Sequence, residues 1–218
     1  MTPSDNLLFA SINLPSLDKK LASRQILEID KKNMFWDSYR QTNMIALMTK
    51  AGKPGYDASD NRTNNGEFHW CDYTPQVIVD WFENIVFPWI GMRTRIMALL
   101  TMPGESNGEH IDCDKKELNT LQHKFRIVLQ GTTSTLYFIT DKGHVRPPDI
   151  DGPFIMDGGW PHGMTNSSDD VKITLVLGAP WKGNDIYKSE ELIYHLYRDK
   201  YTMPDDLEPY WLIRNIPQ

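Results

Sequence analysis

Three side chains in this sequence are spaced to meet on one ion. His110-Ile111-Asp112 follows a turn-forming run, Pro103-Gly104-Glu105-Ser106-Asn107-Gly108. In extended chain, residues i and i+2 point to the same face. His110 and Asp112 therefore offer an imidazole and a carboxylate to a single point. His162 stands fifty residues beyond Asp112, at the end of Asp157-Gly158-Gly159-Trp160-Pro161. Two imidazoles and one carboxylate on one face of a metal leave three coordination positions open, a pattern suited to Fe(II) that must take a co-substrate and O2 together. Ten residues after His162, Lys172 opens the run Lys172-Ile173-Thr174-Leu175-Val176-Leu177. An ammonium there is a point charge with three donors, able to hold the distal carboxylate of a metal-chelating keto acid. Thr174, on the same strand face, adds a hydroxyl. Arg126 is a second cationic candidate for the same role. Strand parity puts His123, Phe125, Ile127 and Leu129 on one face and Lys124, Arg126, Val128 and Gln130 on the other. Trp160, beside Pro161-His162, is read as a wall of the site, and Arg146 as a contact for a substrate carboxylate. His-x-Asp alone recurs by chance in many chains. The distal histidine, the cation ten places on and the β-rich surroundings give it meaning here.

Positioning these groups requires a rigid scaffold. Segments 94–102, 123–130, 134–139, 154–156 and 171–177 are short, rich in β-branched or aromatic residues and separated by Gly, Pro, Asn and Asp. They predict a mainly β fold with flanking helices: a double-stranded β-helix, jelly-roll or cupin-like. Helices are expected at 17–29, capped by Ser16, at 34–48, and at 76–87 with Thr74 as cap and Pro75 in the first turn; Pro88 should end the last of these. A further helix is expected at 189–201. The chain reads as one domain, with 1–92 a helical and loop support, 93–181 the β-helix core and 182–218 a C-terminal helix and tail. Segments 51–65 and 142–153 are candidate lids over the barrel mouth. His69 is expected to pack among its aromatic neighbours.

Composition narrows the field. Lys and Arg total 23 and Asp and Glu 29, for a formal charge of −6, which disfavours a nucleic-acid partner or an anionic membrane surface. Apolar residues make up 40% and Trp numbers seven, enough for a packed core. No apolar run reaches the ~20 residues of a membrane span. Residues 1–18 lack the pattern of a secretory signal. Two cysteines, Cys71 and Cys113, make no disulfide framework, so the expected compartment is the reducing cytoplasm.

The order His110-x-Asp112, His162 and a basic residue ten positions later resembles the Fe(II)/2-oxoglutarate-dependent dioxygenase superfamily. "HKFRIVLQG" (123–131) and "DGGWPHGMTNSSDDVKITLVLG" (157–178) resemble its aspartyl/asparaginyl β-hydroxylase-like branch. The resemblance covers roughly residues 93–181. It implies that His110, Asp112 and His162 ligate Fe(II), and that Lys172 holds the C5 carboxylate of 2-oxoglutarate. Arg126 falls where the branch carries a basic residue for cosubstrate or substrate. The implied reaction consumes O2, releases succinate and CO2, and hydroxylates an amino-acid or protein side chain. Well-known members of the branch lack the carboxylate ligand that Asp112 supplies here, and that carboxylate also argues against halogenation. Two other readings stay open: a cupin-type metalloenzyme that does not use 2-oxoglutarate, and a non-catalytic jelly-roll binding module.

Overall fold

Ile96–Thr101 and Lys172–Leu177 are buried at every position. Strands of that kind belong at the centre of a sheet covered on both sides, and the fold is built around them. The computed structural model describes residues 6–50, 52, 67–113, 115, 118, 123–178 and 189–212. Apart from residue 52, the expected lid at 51–65 lies outside them.

The chain opens with strand β1 (Leu7–Ile12) and helix α1 (Lys19–Leu27). The hairpin strands β2 (Met34–Asp37) and β3 (Thr42–Thr49) follow, then the short β4 (His69–Trp70). Helix α2 (Gln76–Trp81) runs through a π-helical turn, Phe82–Val86, into α3 (Phe87–Ile90). Eight strands come next: β5 (Ile96–Thr101), β6 (Ser106–His110), β7 (His123–Gln130), β8 (Leu136–Thr140), β9 (Gly143–Val145), β10 (Phe154–Asp157), β11 (His162–Thr165) and β12 (Lys172–Leu177). Strand β13 (Leu192–Tyr197) and a short helix α4 (Pro209–Leu212) complete the described elements.

The large sheet has the order β13-β1-β10-β7-β12-β5-β3-β2, with β4 paired to β3; the small one is β6-β11-β8-β9. Every pairing among the described residues is antiparallel. Strands β5 to β12 thus divide four and four between the sheets, the chain crossing between them as it advances. That interleaving is a double-stranded β-helix.

Two apolar layers fix it. Phe125, Ile127 and Leu129 of β7 and Ile173, Leu175 and Leu177 of β12 face the helices, where they meet Ile26, Ile78 and Phe82. Between the sheets lie Phe9, Val128, Leu136, Phe138, Phe154 and Met156. The alternation along β7 is the one expected from parity.

Several local expectations change. Residues 34–48 form a hairpin rather than a helix: β3 is buried on both faces, and a continuous apolar run carries no period to separate strand from helix. Asp37 makes the turn, its Oδ1 accepting from the backbone N–H groups of Tyr39 and Arg40, with Gln41 at φ 51°. The expected helix at 189–201 is strand β13; its Ile, Tyr and Leu content suits a sheet edge against β1. The described residues of the support at 1–92 therefore contribute four strands as well as its helices. Helix α1 starts later than expected, capped by Asp18 through Leu21 N–H, not by Ser16. Thr74 gives its hydroxyl to the Leu47 carbonyl instead of capping α2. Pro88 does not end its helix, because it falls in the first turn of α3, where no backbone donor is needed. Gly91, at φ 77°, ends it.

Phe125 joins the two halves of the larger core. It is fully buried and lies within ring contact of Trp81, Phe82 and Trp89. Phe125→Ala should cost about 3–5 kcal/mol, read as a shifted urea midpoint at unchanged slope.

Candidate metal centre

The small sheet presents two imidazoles side by side. His110 ends β6 and His162 begins β11, and the two are direct register partners. Their ring centroids are 4.5 Å apart. Asp112 follows β6 and turns its carboxylate to both rings: Oδ1 is 3.4 Å from His110 Nε2, and Oδ2 is 3.8 Å from His162 Nε2. One ligand atom from each of the three residues lies within 4.8 Å of the others.

Backbone carbonyls set the tautomers. His110 Nδ1 donates to the Gly108 carbonyl at 2.5 Å, and His162 Nδ1 donates to the Trp160 carbonyl at 2.8 Å. With Nδ1 carrying the proton, each Nε2 keeps its lone pair. Both Nε2 atoms are buried with no hydrogen-bond partner. Buried polar atoms are rarely left so, and two lone pairs converging with a carboxylate are what a divalent cation requires. Burial, together with the neighbouring His110, holds the His162 imidazole well below its usual range and so in its neutral, ligating form. Burial alone would push Asp112 up. The Arg40 guanidinium beside it more than offsets that push, and the carboxyl lies well below the usual range.

One turn positions both Asp112 and His162. Between β10 and β11, the Gly158 carbonyl accepts the Asp112 N–H at 2.7 Å, while the Trp160 carbonyl orients His162. Asp157 stabilises this turn through Gly159 N–H and pairs with Arg198 at 3.0 Å.

The remaining residues expected at the site divide into two groups. Arg126, Lys172 and Thr174 are buried on the inward faces of β7 and β12. Arg126 Nη2 donates to Asp112 Oδ2 at 3.2 Å. Lys172 Nζ donates to the Thr132 carbonyl and the Thr135 hydroxyl. Burial, with repulsion from Arg126, lowers its pKa to about 7. Its stem packs on Gly131, where an added Cβ would meet Lys172 Cγ at 3.0 Å and where φ is +96°. Thr174 Oγ1 is buried without a partner. Trp160 and Arg146 stand elsewhere. Trp160 packs between the sheets, its Nε1 donating to the Ile139 carbonyl, so it reaches the centre through its carbonyl. Arg146 lies exposed over the Tyr137 ring and donates to the Ser134 and Thr135 carbonyls. Tyr137 alternates with the inward Leu136 and Phe138, so Arg146 sits outside the small sheet, away from the centre. His69 is exposed, contrary to expectation.

The hairpin turn brings residues that the sequence reading missed. Arg40 grips Asp112 Oδ1 through Nε at 3.1 Å and Nη2 at 2.9 Å, and its Nη1 reaches Asp37 Oδ2 at 2.8 Å. Tyr39 packs edge-on against His110 and donates its hydroxyl to the Ile111 carbonyl. No local pattern announces these contacts. They exist because β2–β3 folds back over β6, where the Arg40 carbonyl accepts from Gly108 N–H.

No protein-family model matches the chain, and no curated protein matches it in sequence. Solved structures similar to it include a Pseudomonas putida prolyl-4-hydroxylase, at TM-score 0.46 and 14% identity over 80% of this chain and 92% of that one. Another is a Trichoplax adhaerens prolyl hydroxylase in complex with a hypoxia-inducible-factor peptide fragment, at 0.47 and 12% over 80% and 84%. A cupin 2 conserved barrel protein of Salinispora arenicola aligns at 0.35 and 14% over 73% and 89%. Among the described residues, no helix is long and apolar enough to cross a membrane.

Arg40→Met should weaken metal binding about 10–100-fold while leaving the far-ultraviolet circular dichroism unchanged, since it removes the donors that hold the carboxylate in place. Calorimetric titration with Mn(II) measures the loss.

Proposed function

We propose that this protein is an Fe(II)- and 2-oxoglutarate-dependent oxygenase that hydroxylates a small-molecule or protein side chain. One observation carries the reading: two buried, unpartnered imidazole nitrogens face one carboxylate, with every other polar atom of the two rings already engaged. The donor set fits the metal. His110, Asp112 and His162 would hold it on one face and leave the other open. Bound Fe(II) with 2-oxoglutarate supplies O2 activation coupled to decarboxylation of the keto acid to succinate and CO2, with one oxygen atom delivered to a substrate C–H bond.

The chain's own residues bind, orient and shield. Lys172, anchored on Thr132 and Thr135, meets the distal carboxylate of 2-oxoglutarate, and the unpartnered Thr174 hydroxyl donates beside it. Arg126 adds positive charge between that point and the metal. Arg40 and the Gly158 carbonyl keep Asp112 aimed. The apolar layer of Val128, Phe138 and Phe154 keeps water from the inner end of the barrel.

Succinate production from 2-oxoglutarate in the presence of Fe(II) tests the reading directly. Protein that binds neither Fe(II) nor 2-oxoglutarate would exclude it, and turnover that ignores 2-oxoglutarate would favour the cupin-type alternative. His162→Ala should abolish detectable Mn(II) binding. Lys172→Ala should keep the metal and weaken 2-oxoglutarate about 10–100-fold, the effect of losing a charge-assisted hydrogen bond.

The low pKa of Lys172 also predicts a pH dependence. Its cation is present below about 7 and is lost as pH rises through that value. Affinity for 2-oxoglutarate should therefore fall as pH is raised above about 7. Lys172→Arg, whose guanidinium stays charged, should flatten the profile; a wild-type affinity independent of pH between 6 and 9 (roughly one to two units either side of that pKa) would contradict the assignment.

A further inference from the structure

The cations around the centre outnumber those the proposed reaction needs. Inward positions on β7 run Lys124, Arg126, Val128, Gln130, and those on β12 run Lys172, Thr174, Val176. The register sets Ile173 against Gln130 and Leu177 against Phe125, so Lys172 and Lys124 stand at opposite ends of the barrel wall. At ~3.3 Å per residue these levels are ~20 Å apart. A five-carbon acid chelated at the metal and held by Lys172 is far too short to reach Lys124 as well.

The Lys124 end is built for an anion. Arg126 is buried, and its Nε has no partner although Nη2 is on Asp112. Lys124 forms no hydrogen bond or ion pair with any described residue. Its ammonium feels the attraction of Asp112, but that carboxylate is already gripped by Arg40 and Arg126. Arg95 lies at the same level, its carbonyl accepting the Gly178 N–H. Gly178, the residue after the Leu177 pairs with Phe125 and Ile96, falls between the two cations and puts no side chain there. Burial lowers Lys124 to about 8, which leaves it charged at neutral pH.

We propose that Lys124, with Arg126 Nε and Arg95 beside it, forms a second anion site next to the metal, and that the primary substrate presents a carboxylate to it. The inference rests on the 2-oxoglutarate-dependent reading of the centre. It assigns Lys172 to the cosubstrate and Lys124 to the molecule that is oxidised.

The test uses the full chain loaded with Mn(II) and saturated with 2-oxoglutarate under anaerobic conditions. Acetate, L-malate and N-acetyl-L-glutamate are titrated at millimolar concentrations, each against its amide, with calorimetry and thermal shift as readouts. The acids should bind in preference to the amides. Lys124→Gln should weaken them at least about tenfold, Lys124→Arg should restore them, and both variants should keep their affinity for 2-oxoglutarate, which reports an intact fold and centre. Acids that bind no better than amides, that bind Lys124→Gln as well as wild type, or that displace 2-oxoglutarate would each overturn the second site. Wild-type protein that takes Mn(II) but not 2-oxoglutarate would instead overturn the reading of the centre itself.

Discussion

A carboxylate sealed from water has to be compensated on every side, and Asp112 sets that demand for the whole molecule. Its side chain is 2% exposed. An isolated buried charge costs many kcal/mol, and a carboxylate that cannot find partners takes up a proton instead. Here the compensation comes from two separate parts of the chain, Arg40 from the hairpin and Arg126 from β7, while the imidazoles of β6 and β11 turn their lone pairs toward the same point. The hairpin and the large sheet are thus held by the same negative charge. The sheets supply rigidity, but this charge decides how the hairpin, the large sheet and the small sheet are placed relative to one another at the site.

The strands around the centre divide their labour by face. On β7, Phe125, Ile127 and Leu129 build the layer against the helices, while Arg126 on the opposite face reaches Asp112. On β12, Ile173, Leu175 and Leu177 do the same, and Lys172 and Thr174 face inward. Packing energy and polar function therefore draw on alternate residues of the same segments. This is why the strand carrying Lys172 is buried throughout. A lysine is tolerated there because its nitrogen has oxygen acceptors and its stem lies against a residue with no side chain.

Much of this was legible in the chain itself. Period-two spacing paired His110 with Asp112, and the short runs after residue 93 matched β5, β7, β8, β10 and β12, because both depend only on local geometry; β6, β9 and β11, whose Gly, Asn and His content gives no apolar alternation, were not marked. The N-terminal hairpin was not legible. Thr42–Thr49 is apolar on both faces, so its pattern carries no period, and its partner strand is only four residues long. Arg40 escaped for a related reason: its role depends on where that hairpin lands, some seventy residues away in sequence from the carboxylate it holds. Residues 192–197 were misread because an edge strand, half exposed, lacks the clean alternation of a covered one. Arg146 was read as facing the site, but it falls one residue past β9, at the edge of the small sheet, where the local pattern does not reveal which side of the sheet it takes.

Strand β1 lies between β10 and β13, with Leu7 opposite Tyr197 and Phe9 opposite Met156. Pairings between such distant parts of a chain form late, since loop-closure entropy is spent before any contact is gained. Until residues 154–156 and 192–197 are available, β1 has no partner strand, and its apolar run and free backbone donors stay in reach of other chains. The first strand of the described chain is thus among the last to be secured, and the sheet closes on it from both sides.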